Sequence, residues 1–179
     1  MKTLCIIIPV KDEQIGLEFL FNEFNGFKNN INYTIEFIFV VDERTNDSSK
    51  EIAKKFSKNI IDQKDTHGKG AAIKQAIEFW KRKRSDFVVF MDADGSYSFA
   101  DVSNLISLIE KGSDIVSGSR FMNADNNLNE MGKLHYFGNL FLSKISSMKN
   151  RKKITDLCTG LWAFNSSAID ALKINSNGF

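Results

Sequence analysis

Short apolar runs alternate with amphipathic segments along this chain, and the alternation constrains the fold more than any other feature. Strands are predicted over residues 4–10, 34–42, 59–62, 86–92 and 114–119. Between them, helical periodicity covers residues 13–27, 48–58, 69–83 and 100–112. The first run, "LCIIIPV", has little polar alternation, as is typical of a strand covered on both faces. The pattern predicts an α/β fold with a mostly parallel sheet and helices on both faces.

The alternation becomes less regular after residue 119. Residues 122–131 are polar and are predicted to form a loop, and residues 133–148 resemble an amphipathic helix. A last strand is predicted over 160–165 and a short helix over 166–173. Neither a linker nor an internal repeat interrupts the chain, so residues 1–179 are expected to form a single domain.

Composition narrows the class of protein. The 24 Lys+Arg and 22 Asp+Glu give a net charge of +2, which does not indicate a nucleic-acid partner. No run approaches the roughly 18 apolar residues of a membrane span, and the apolar N-terminus is too short for a signal peptide. Cys5 and Cys158 lie far apart, which favours reduced thiols over a disulfide framework. We therefore expect a cytoplasmic protein, with contact to the cytoplasmic face of a membrane left open.

Polar residues collect at the ends of the predicted strands. In open α/β sheets, ligands bind beyond the carboxyl ends of the strands. Each of these residues alone also fits a helix cap or a turn, but together they predict a ligand site. The residues concerned are Glu13 after the first strand, Asp42 after the second, Asp92 and Asp94 after the fourth, and Arg120 after the fifth.

The strongest chemical signal is the pair Asp92 and Asp94 in "FMDADGSY". Residues i and i+2 of an extended chain point to the same side, so both carboxylates are expected to reach one point. A hard divalent ion such as Mg²⁺ or Mn²⁺ relieves their repulsion and completes its shell with water and substrate phosphates. The competing interpretation is a plain turn at Asp94-Gly95 that Asp92 caps.

The stretch "THGKGAA" lies at a predicted strand-to-helix junction. Gly68 and Gly70 allow backbone N–H groups to approach an anion, and the start of a helix favours negative charge. The stretch does not match the P-loop pattern. A tight turn with a solvated Lys69 explains it as well.

Six motifs in this order resemble inverting family 2 glycosyltransferases of the GT-A fold, a Rossmann-like α/β fold. They are "IIIPVKDE", "FVVDERTNDSS", "HGKGAA", "MDADGSY", "DIVSGSR" and "TDLCTGLWAF". Within that family the chain looks most like the polyprenyl- and dolichyl-phosphate hexose synthases. The resemblance covers residues 4 to about 170, and six ordered motifs are far more specific than any single one.

The resemblance implies a donor pocket for a UDP- or GDP-hexose. Pro9, Glu13 and Asp42 would line its nucleotide part, while Lys69 and Gly70 would sit close to the donor.

It also implies the catalytic part of the site. Asp92 and Asp94 would bind Mg²⁺ or Mn²⁺ on the donor diphosphate. Arg120 would face the acceptor phosphate or the donor pyrophosphate, and Asp156 would lie near the reacting sugar.

The implied reaction transfers a hexose to a polyprenyl phosphate, an acceptor already anionic at neutral pH that needs no strong base. Were the acceptor a sugar or protein hydroxyl, Asp156 is the candidate general base; a polar turn residue is its other interpretation. A non-catalytic nucleotide-sugar-binding or partner-binding domain is a third possibility. A sugar nucleotidyltransferase lacks support, because such enzymes are expected to carry a Gly-rich, Arg-containing loop just after the first strand. The segment "IIIPVKDEQIG" does not contain one.

Two features depart from the family pattern. His135 stands in "MGKLHYFGN" where such synthases often carry an Arg that holds the lipid phosphate, and Lys133 is a candidate substitute. The chain also stops at "NSNGF", where the family usually continues, so either a trimmed domain or a natural short form is expected.

The 133–148 segment has an apolar stripe that includes Leu134, Phe137, Phe141, Leu142 and Ile145, followed by the basic run "MKNRKK". Two interpretations are open. The stripe faces the core and the tail is solvated, or the helix lies on an anionic membrane.

Overall fold

The computed structural model describes residues 1–28, 32–121 and 133–176, with residues 133–135 described by their backbone alone. The strands are β1 (Lys2–Val10), β2 (Tyr33–Asp42), β3 (Ile60–Gln63), β4 (Phe87–Phe90), β5 (Ile115–Ser117) and β6 (Trp162–Asn165). The helices are α1 (Gln14–Phe27), α2 (Ser49–Phe56), α3 (Lys69–Lys83), α4 (Phe99–Glu110), α5 (Lys133–Asn150) and α6 (Ser166–Ala171). The predicted order of elements is confirmed, and the predicted ends differ from the observed ones by at most two residues.

The strands form one sheet in the order β3-β2-β1-β4-β6-β5. The first four strands are parallel, and Ile7 on β1 pairs with Ile38 on one side and Phe90 on the other. The last strand, β6, runs antiparallel and lies between β4 and β5. The expected mostly parallel sheet is confirmed, and the insertion of β6 is its one departure from parallel order among the described residues.

Helices cover both faces of the sheet, as expected. Side chains on alternate positions of β1 enter opposite layers, so Ile6 and Ile8 pack with α1, α2 and α4. Cys5 and Ile7 pack with α3 and α6 on the other face. Burial on both faces explains why the strand sequences are continuous apolar runs.

Aromatic side chains fill much of the layer beneath α1 and α2. Phe24 packs edge-on against Phe37 at a centroid distance of 5.0 Å, and Phe37 stacks on Phe39 at 5.9 Å. Each fully buried Phe contributes about 1.5–3 kcal/mol through removal of apolar surface from water. This layer anchors α1 and α2, whose first residues border the site described below.

Helix α5 differs from the expectation of a core-facing stripe. Phe137, Phe141, Leu142 and Ile145 are exposed, so that interpretation is wrong for the described side chains. The side chains of Leu134 and His135, and the predicted loop over 122–131, lie outside the described residues. In the parts of the chain that the structure describes, each helix is too short or too polar to cross a bilayer.

Candidate active site

A cleft of about 240 Å³ opens at the carboxyl edge of β1, β2 and β4. It lies where the strand ends of a parallel sheet are expected to bind a ligand. The residues that line it come from four strand ends and the start of α3: Pro9, Val10, Lys11, Glu13, Asp42, Arg44, Gln63, Gly68, Lys69, Ala72, Asp92, Ala93 and Asp94.

At one end of the cleft, Asp42 is held by Arg44. The Arg44 guanidinium donates from Nε to Asp42 Oδ1 at 2.8 Å and from Nη2 to Oδ2 at 2.6 Å. These bonds keep the pKa of the buried Asp42 carboxyl well below its usual range. The Nδ1 atom of His67 lies 3.6 Å from the same carboxylate. Asp42 is therefore a fixed, ionised acceptor at this end of the cleft.

Glu13 is positioned by contacts between the starts of α1 and α2. Its backbone N–H donates to Ser49 Oγ at 2.8 Å, and the next amide, Gln14 N–H, donates to Asp47 Oδ2 at 3.0 Å. Asp47 also accepts the Ser49 N–H at 2.9 Å, so it satisfies the first turn of α2 while Ser48, the N-cap, makes no side-chain cap bond. Two helix termini thus fix the turn that carries Glu13 into the cleft.

Asp92 and Asp94 both line the cleft, although the reason differs from the one predicted. The ladder of β4 ends at Phe90 and the chain bends at residues 93–95, so the pair does not continue an extended strand. The Asp92 N–H donates to the Gly160 carbonyl at 3.2 Å. A Cβ on Gly160 would meet Asp92 Oδ2 at 1.8 Å. Only glycine leaves room for the Asp92 carboxylate at this position.

Lys69 forms an ion pair with Asp92 across the cleft. It is the first residue of α3, and Gly68 before it has φ +97°, a left-handed conformation that glycine tolerates. Burial raises the pKa of Asp92 above its usual value even though Lys69 favours the charged form. The ammonium and the start of α3 place positive charge beside an otherwise acidic group.

Glu13, Asp92 and Asp94 form an acidic group in the cleft, and their negative charges are only partly neutralised by Lys69. Burial raises the pKa of Glu13, and the nearby carboxylates of Asp94 and Asp92 raise it further. Asp94 accepts the Ser96 N–H on Oδ1 at 2.9 Å. A divalent cation fits this potential, because Asp92 and Asp94 offer hard oxygen donors and Mg²⁺ typically takes one or two protein carboxylates. Over residues 1–28, 32–121 and 133–176, no three His, Cys, Asp or Glu side chains cluster closely enough to bind a metal alone.

Arg120 and Asp156 lie beside the cleft and do not line it. The Asp156 carboxylate accepts Arg120 Nε at 2.8 Å and Nη2 at 3.0 Å, and its side chain is 0% exposed. It also accepts Asn139 Nδ2 at 2.6 Å. Burial alone would raise the pKa of Asp156, but these hydrogen bonds outweigh burial and the pKa lies below its ordinary value. Both oxygens are thus committed to other side chains.

The segment that carries Asp156 is tied to the Asp92 loop. Tyr97 Oη accepts the Gly160 N–H at 2.7 Å and lies 3.1 Å from Thr159 Oγ1. Arg120 in turn donates from Nη2 to the Cys158 carbonyl at 2.8 Å. These contacts place the Arg120 guanidinium close enough to Asp92 to favour its ionised form. Hydrogen bonds therefore join two segments that are distant in sequence into one border of the cleft.

The cleft brings together six of the residues that the sequence singled out: Pro9, Glu13, Asp42, Lys69, Asp92 and Asp94. Gly70 is buried in the first turn of α3 and is not among the lining residues. Arg120 and Asp156 border the cleft from one side. His135 has no described side chain, so its role stays a prediction.

Sequence reasoning missed Arg44 and Gln63, which both line the cleft. Gln63 is buried at the end of β3 and donates to the Gly68 carbonyl at 3.0 Å. A polar residue that ends an apolar strand was the available signal for Gln63. For Arg44, the signal was a cation two residues after the acid that ends β2.

Comparisons with known proteins identify the family and the fold. The family model described as glycosyl transferase family 2 matches residues 5–173. Glycosyltransferase AglJ of Haloferax volcanii is 25% identical over 98% of this chain and 54% of its own length. The dolichol-phosphate mannosyltransferase of Pyrococcus furiosus is 29% identical over 97% of this chain and 49% of its own length. The chain thus spans about half the length of these relatives.

A solved structure shows the same fold. Glucosyl-3-phosphoglycerate synthase from Mycobacterium tuberculosis, in complex with Mn²⁺, UDP-glucose and phosphoglyceric acid, aligns with a TM-score of 0.65. The alignment covers 92% of this chain and 56% of that chain at 15% sequence identity. The expected GT-A fold is confirmed. A family match that begins in β1 and extends beyond α6 makes this chain a member of glycosyl transferase family 2.

Proposed function

We propose that this chain is the catalytic domain of an inverting glycosyltransferase that transfers a hexose from a nucleotide diphosphate sugar to a polyprenyl phosphate, with the help of Mg²⁺ or Mn²⁺. The observation that carries the proposal is the arrangement of charge along the cleft. Asp42 ends β2, Asp92 and Asp94 follow β4, and β1 lies between these two strands. The acids therefore stand at opposite ends of the cleft, with Lys69 paired to Asp92. A nucleoside at the first end and a diphosphate at the second match this order.

The donor half of the mechanism follows from these residues. Asp42 would accept hydrogen bonds from the nucleoside, and Pro9 and Glu13 would border it. Asp92 and Asp94 would hold the cation, which when bound acts as a Lewis acid on the departing diphosphate. Lys69 and the N–H groups at the start of α3 would face the same oxygens, since helix N-termini favour phosphate.

The transfer step needs little proton chemistry. An oxygen of the acceptor phosphate forms a bond to the anomeric carbon while the bond from that carbon to the diphosphate breaks. The electron pair leaves with the nucleoside diphosphate, and the configuration inverts. Arg120, fixed by Asp156, would orient the acceptor phosphate, and such positioning supplies much of the rate in phosphate chemistry.

The acceptor assignment is supported by the chemistry of Asp156 and by one relative. A hydroxyl acceptor calls for a general base, but both oxygens of Asp156 are engaged by Arg120 and Asn139. A phosphate acceptor calls for none. The Pyrococcus furiosus relative is named for dolichol phosphate. Because a polyprenyl tail stays in lipid, we expect the reaction at a membrane surface, on its cytoplasmic face.

Calorimetry with UDP- and GDP-hexoses, with and without Mn²⁺, tests the donor site. We expect Mn²⁺-dependent binding that Asp94→Asn weakens at least about tenfold, since one of two carboxylate ligands is lost. Asp170→Asn on α6 is the matched control, because that exposed carboxylate pairs with Arg84 at the opposite edge of the sheet. Unchanged Mn²⁺-dependent binding in the Asp94 variant would refute the metal assignment.

Transfer of radiolabelled hexose to a polyprenyl phosphate, compared with a soluble sugar, tests the acceptor. Label in the lipid phase alone is the expected result. Label in the soluble sugar alone would favour a hydroxyl acceptor. Donor binding without transfer to either acceptor would favour a non-catalytic binding domain.

A further inference from the structure

Helix α5 has a polar face against the body of the protein. Asn139, Ser143 and Ser147 follow each other at intervals of four residues, which places them on one face. Ser143 Oγ accepts the Leu157 N–H at 2.8 Å, and Ser147 Oγ accepts the Ile154 N–H at 2.8 Å. Asn139 and Ser143 are almost fully buried. Hydrogen bonds rather than apolar packing therefore seal this face.

The opposite face of α5 is apolar and exposed. Phe137, Phe141, Ile145 and Met148 lie on one stripe, and Phe141 and Met148 are 65% and 74% exposed. Six of the twelve large exposed apolar side chains of the described residues belong to this one helix. A helix on a protein surface in water normally presents the reverse pattern, with its apolar face inward. The inversion indicates that the outer face of α5 meets something other than water.

The charge around the exposed stripe of α5 favours one kind of partner over another. Residues 131–155 contain six Lys or Arg and no Asp or Glu, so the rest of the chain carries a net charge of −4. Lys144, Lys149 and residues 151–153 are exposed around the stripe. A second copy that docked the same face would bring like charges together. An anionic lipid surface instead complements an apolar stripe flanked by cations.

We propose that α5 lies in the plane of an anionic membrane, with the stripe of Phe137, Phe141, Ile145 and Met148 among the acyl chains. The inference rests on the proposed function for its meaning, because it brings the site to a lipid-linked acceptor. The polar face of the same helix supplies Asn139, which donates to Asp156, the residue that fixes Arg120. An α-helix is about 10–12 Å across, so Arg120 would stand near the headgroups where an acceptor phosphate lies.

Vesicle flotation of the 179-residue chain tests this placement without any catalytic readout. One vesicle population is phosphatidylcholine with about one third phosphatidylglycerol, and the other is phosphatidylcholine alone. We expect binding to the anionic vesicles that weakens in high salt. The double variant Phe137→Ser/Phe141→Ser should bind at least about tenfold less, because two large apolar groups no longer enter the lipid.

Two further variants keep the test decisive. Phe19→Ser/Leu108→Ser removes exposed apolar side chains from α1 and α4 and should bind vesicles like the wild type. Lys152→Glu/Lys153→Glu, beyond the end of α5, should reduce binding to anionic vesicles only and covers the case in which the stripe variant fails to fold. Equal vesicle binding by the wild type, the stripe variant and the charge variant would overturn the inference.

Other outcomes separate this inference from the proposed function. Wild-type chain that binds a nucleotide sugar with Mn²⁺ but neither vesicle population would overturn the membrane placement and leave the donor site intact. Chain that binds anionic vesicles through the stripe but no nucleotide sugar would support the placement and refute the proposed function. Concentration-dependent dimerisation that the stripe variant abolishes, without vesicle binding, would assign the stripe to a second copy.

Discussion

Arg120 donates two side-chain hydrogen bonds to the carboxylate of Asp156, from Nε to Oδ2 at 2.8 Å and from Nη2 to Oδ1 at 3.0 Å. The Arg120 backbone N–H adds a third bond to Oδ2 at 3.1 Å. This geometry makes Asp156 a positioning residue for a guanidinium at the border of the cleft. It also explains why the charged form of a fully buried carboxylate is favoured.

Asp156→Asn should cost the protein about 3 kcal/mol, because removal of one partner leaves a largely buried charge uncompensated. For a chain of this length the melting temperature should fall by roughly 6–12 °C. Asp170→Asn is the control, since its exposed pair with Arg84 contributes at most about 1 kcal/mol. A variant that melts like the wild type but has lost transfer would indicate that Asp156 acts as a base instead.

The same pair predicts a pH dependence. The pKa of Asp156 in the folded protein lies below its ordinary value of 3.8. Its contribution to stability is therefore present at neutral pH and is lost as the pH falls through the folded pKa. The difference in melting temperature between wild type and Asp156→Asn should shrink in acid, as scanning calorimetry at successive pH values can measure. A difference that grows in acid would contradict the assignment.

Lys69→Met should strengthen binding of Mn²⁺ in the absence of nucleotide by about twofold to fivefold. The ammonium is paired with Asp92 and competes with a metal for that carboxylate, and a partly exposed ion pair is worth up to about 1 kcal/mol. Electron paramagnetic resonance of free Mn²⁺ gives the affinity directly. Lys69→Arg keeps the positive charge and should leave it near the wild-type value. Weaker Mn²⁺ binding by the Met variant would show that Lys69 helps to shape the metal site.

Gly160→Ala should disrupt the cleft from a distance in sequence. The added methyl group would overlap Asp92 Oδ2 and Cγ, which lie 1.8 and 2.3 Å from its position. We expect a loss of about 1–3 kcal/mol in stability from this overpacking. Mn²⁺-dependent nucleotide binding should weaken with it, because the Asp92 carboxylate must move.

Gly26→Ala is the matched control for that substitution. A Cβ on Gly26, in α1, would meet nothing within 4 Å. The free energy of unfolding should therefore change by less than about 1 kcal/mol, in the stabilising direction expected for glycine to alanine in a helix. Normal nucleotide binding by Gly160→Ala would contradict the packing that places Asp92 in the cleft.

The two thiols should differ in reactivity. Burial raises the pKa of Cys5 to about 12, so this thiol carries almost no thiolate at pH 8. Cys158 is exposed. Titration of the native protein with a chromogenic disulfide should detect one thiol, with the second released only on unfolding. Cys158→Ser should abolish the native reaction, and two rapidly reacting thiols in the native wild type would show that β1 is not packed as described.

The residues at the carboxyl edge of the sheet could be predicted from sequence because strands and helices alternate regularly along the chain. Each apolar run ends in a polar residue, and parallel strands end at the same edge, so Glu13, Asp42, Asp92 and Asp94 were expected to meet. The prediction succeeded even though the strand before Asp92 ends two residues early. Proximity depends on topology more than on local backbone conformation.

Other features could not be read from local patterns. The antiparallel placement of β6 between β4 and β5 depends on contacts between segments about 75 residues apart, such as Val88 with Phe164. The outward stripe of α5 has the same periodicity as an inward one, because periodicity defines a face but not its direction. The hydrogen bonds that Arg120 and Asn139 donate to Asp156 form only when three separate segments of the chain meet.

The position of β6 has a consequence for synthesis of the protein. While Trp162–Asn165 has not yet been made, β4 is a bare edge, and the Asp92 amide lacks the Gly160 carbonyl. A nascent chain emerges from its N-terminus, so the donor half of the cleft is completed only when β6, which begins at Trp162, has been made. A nascent chain on a ribosome that pauses before residue 160 would therefore expose the unpaired edge of β4 to incorrect strand pairing. Its Asp92 loop would lack the contact with Gly160.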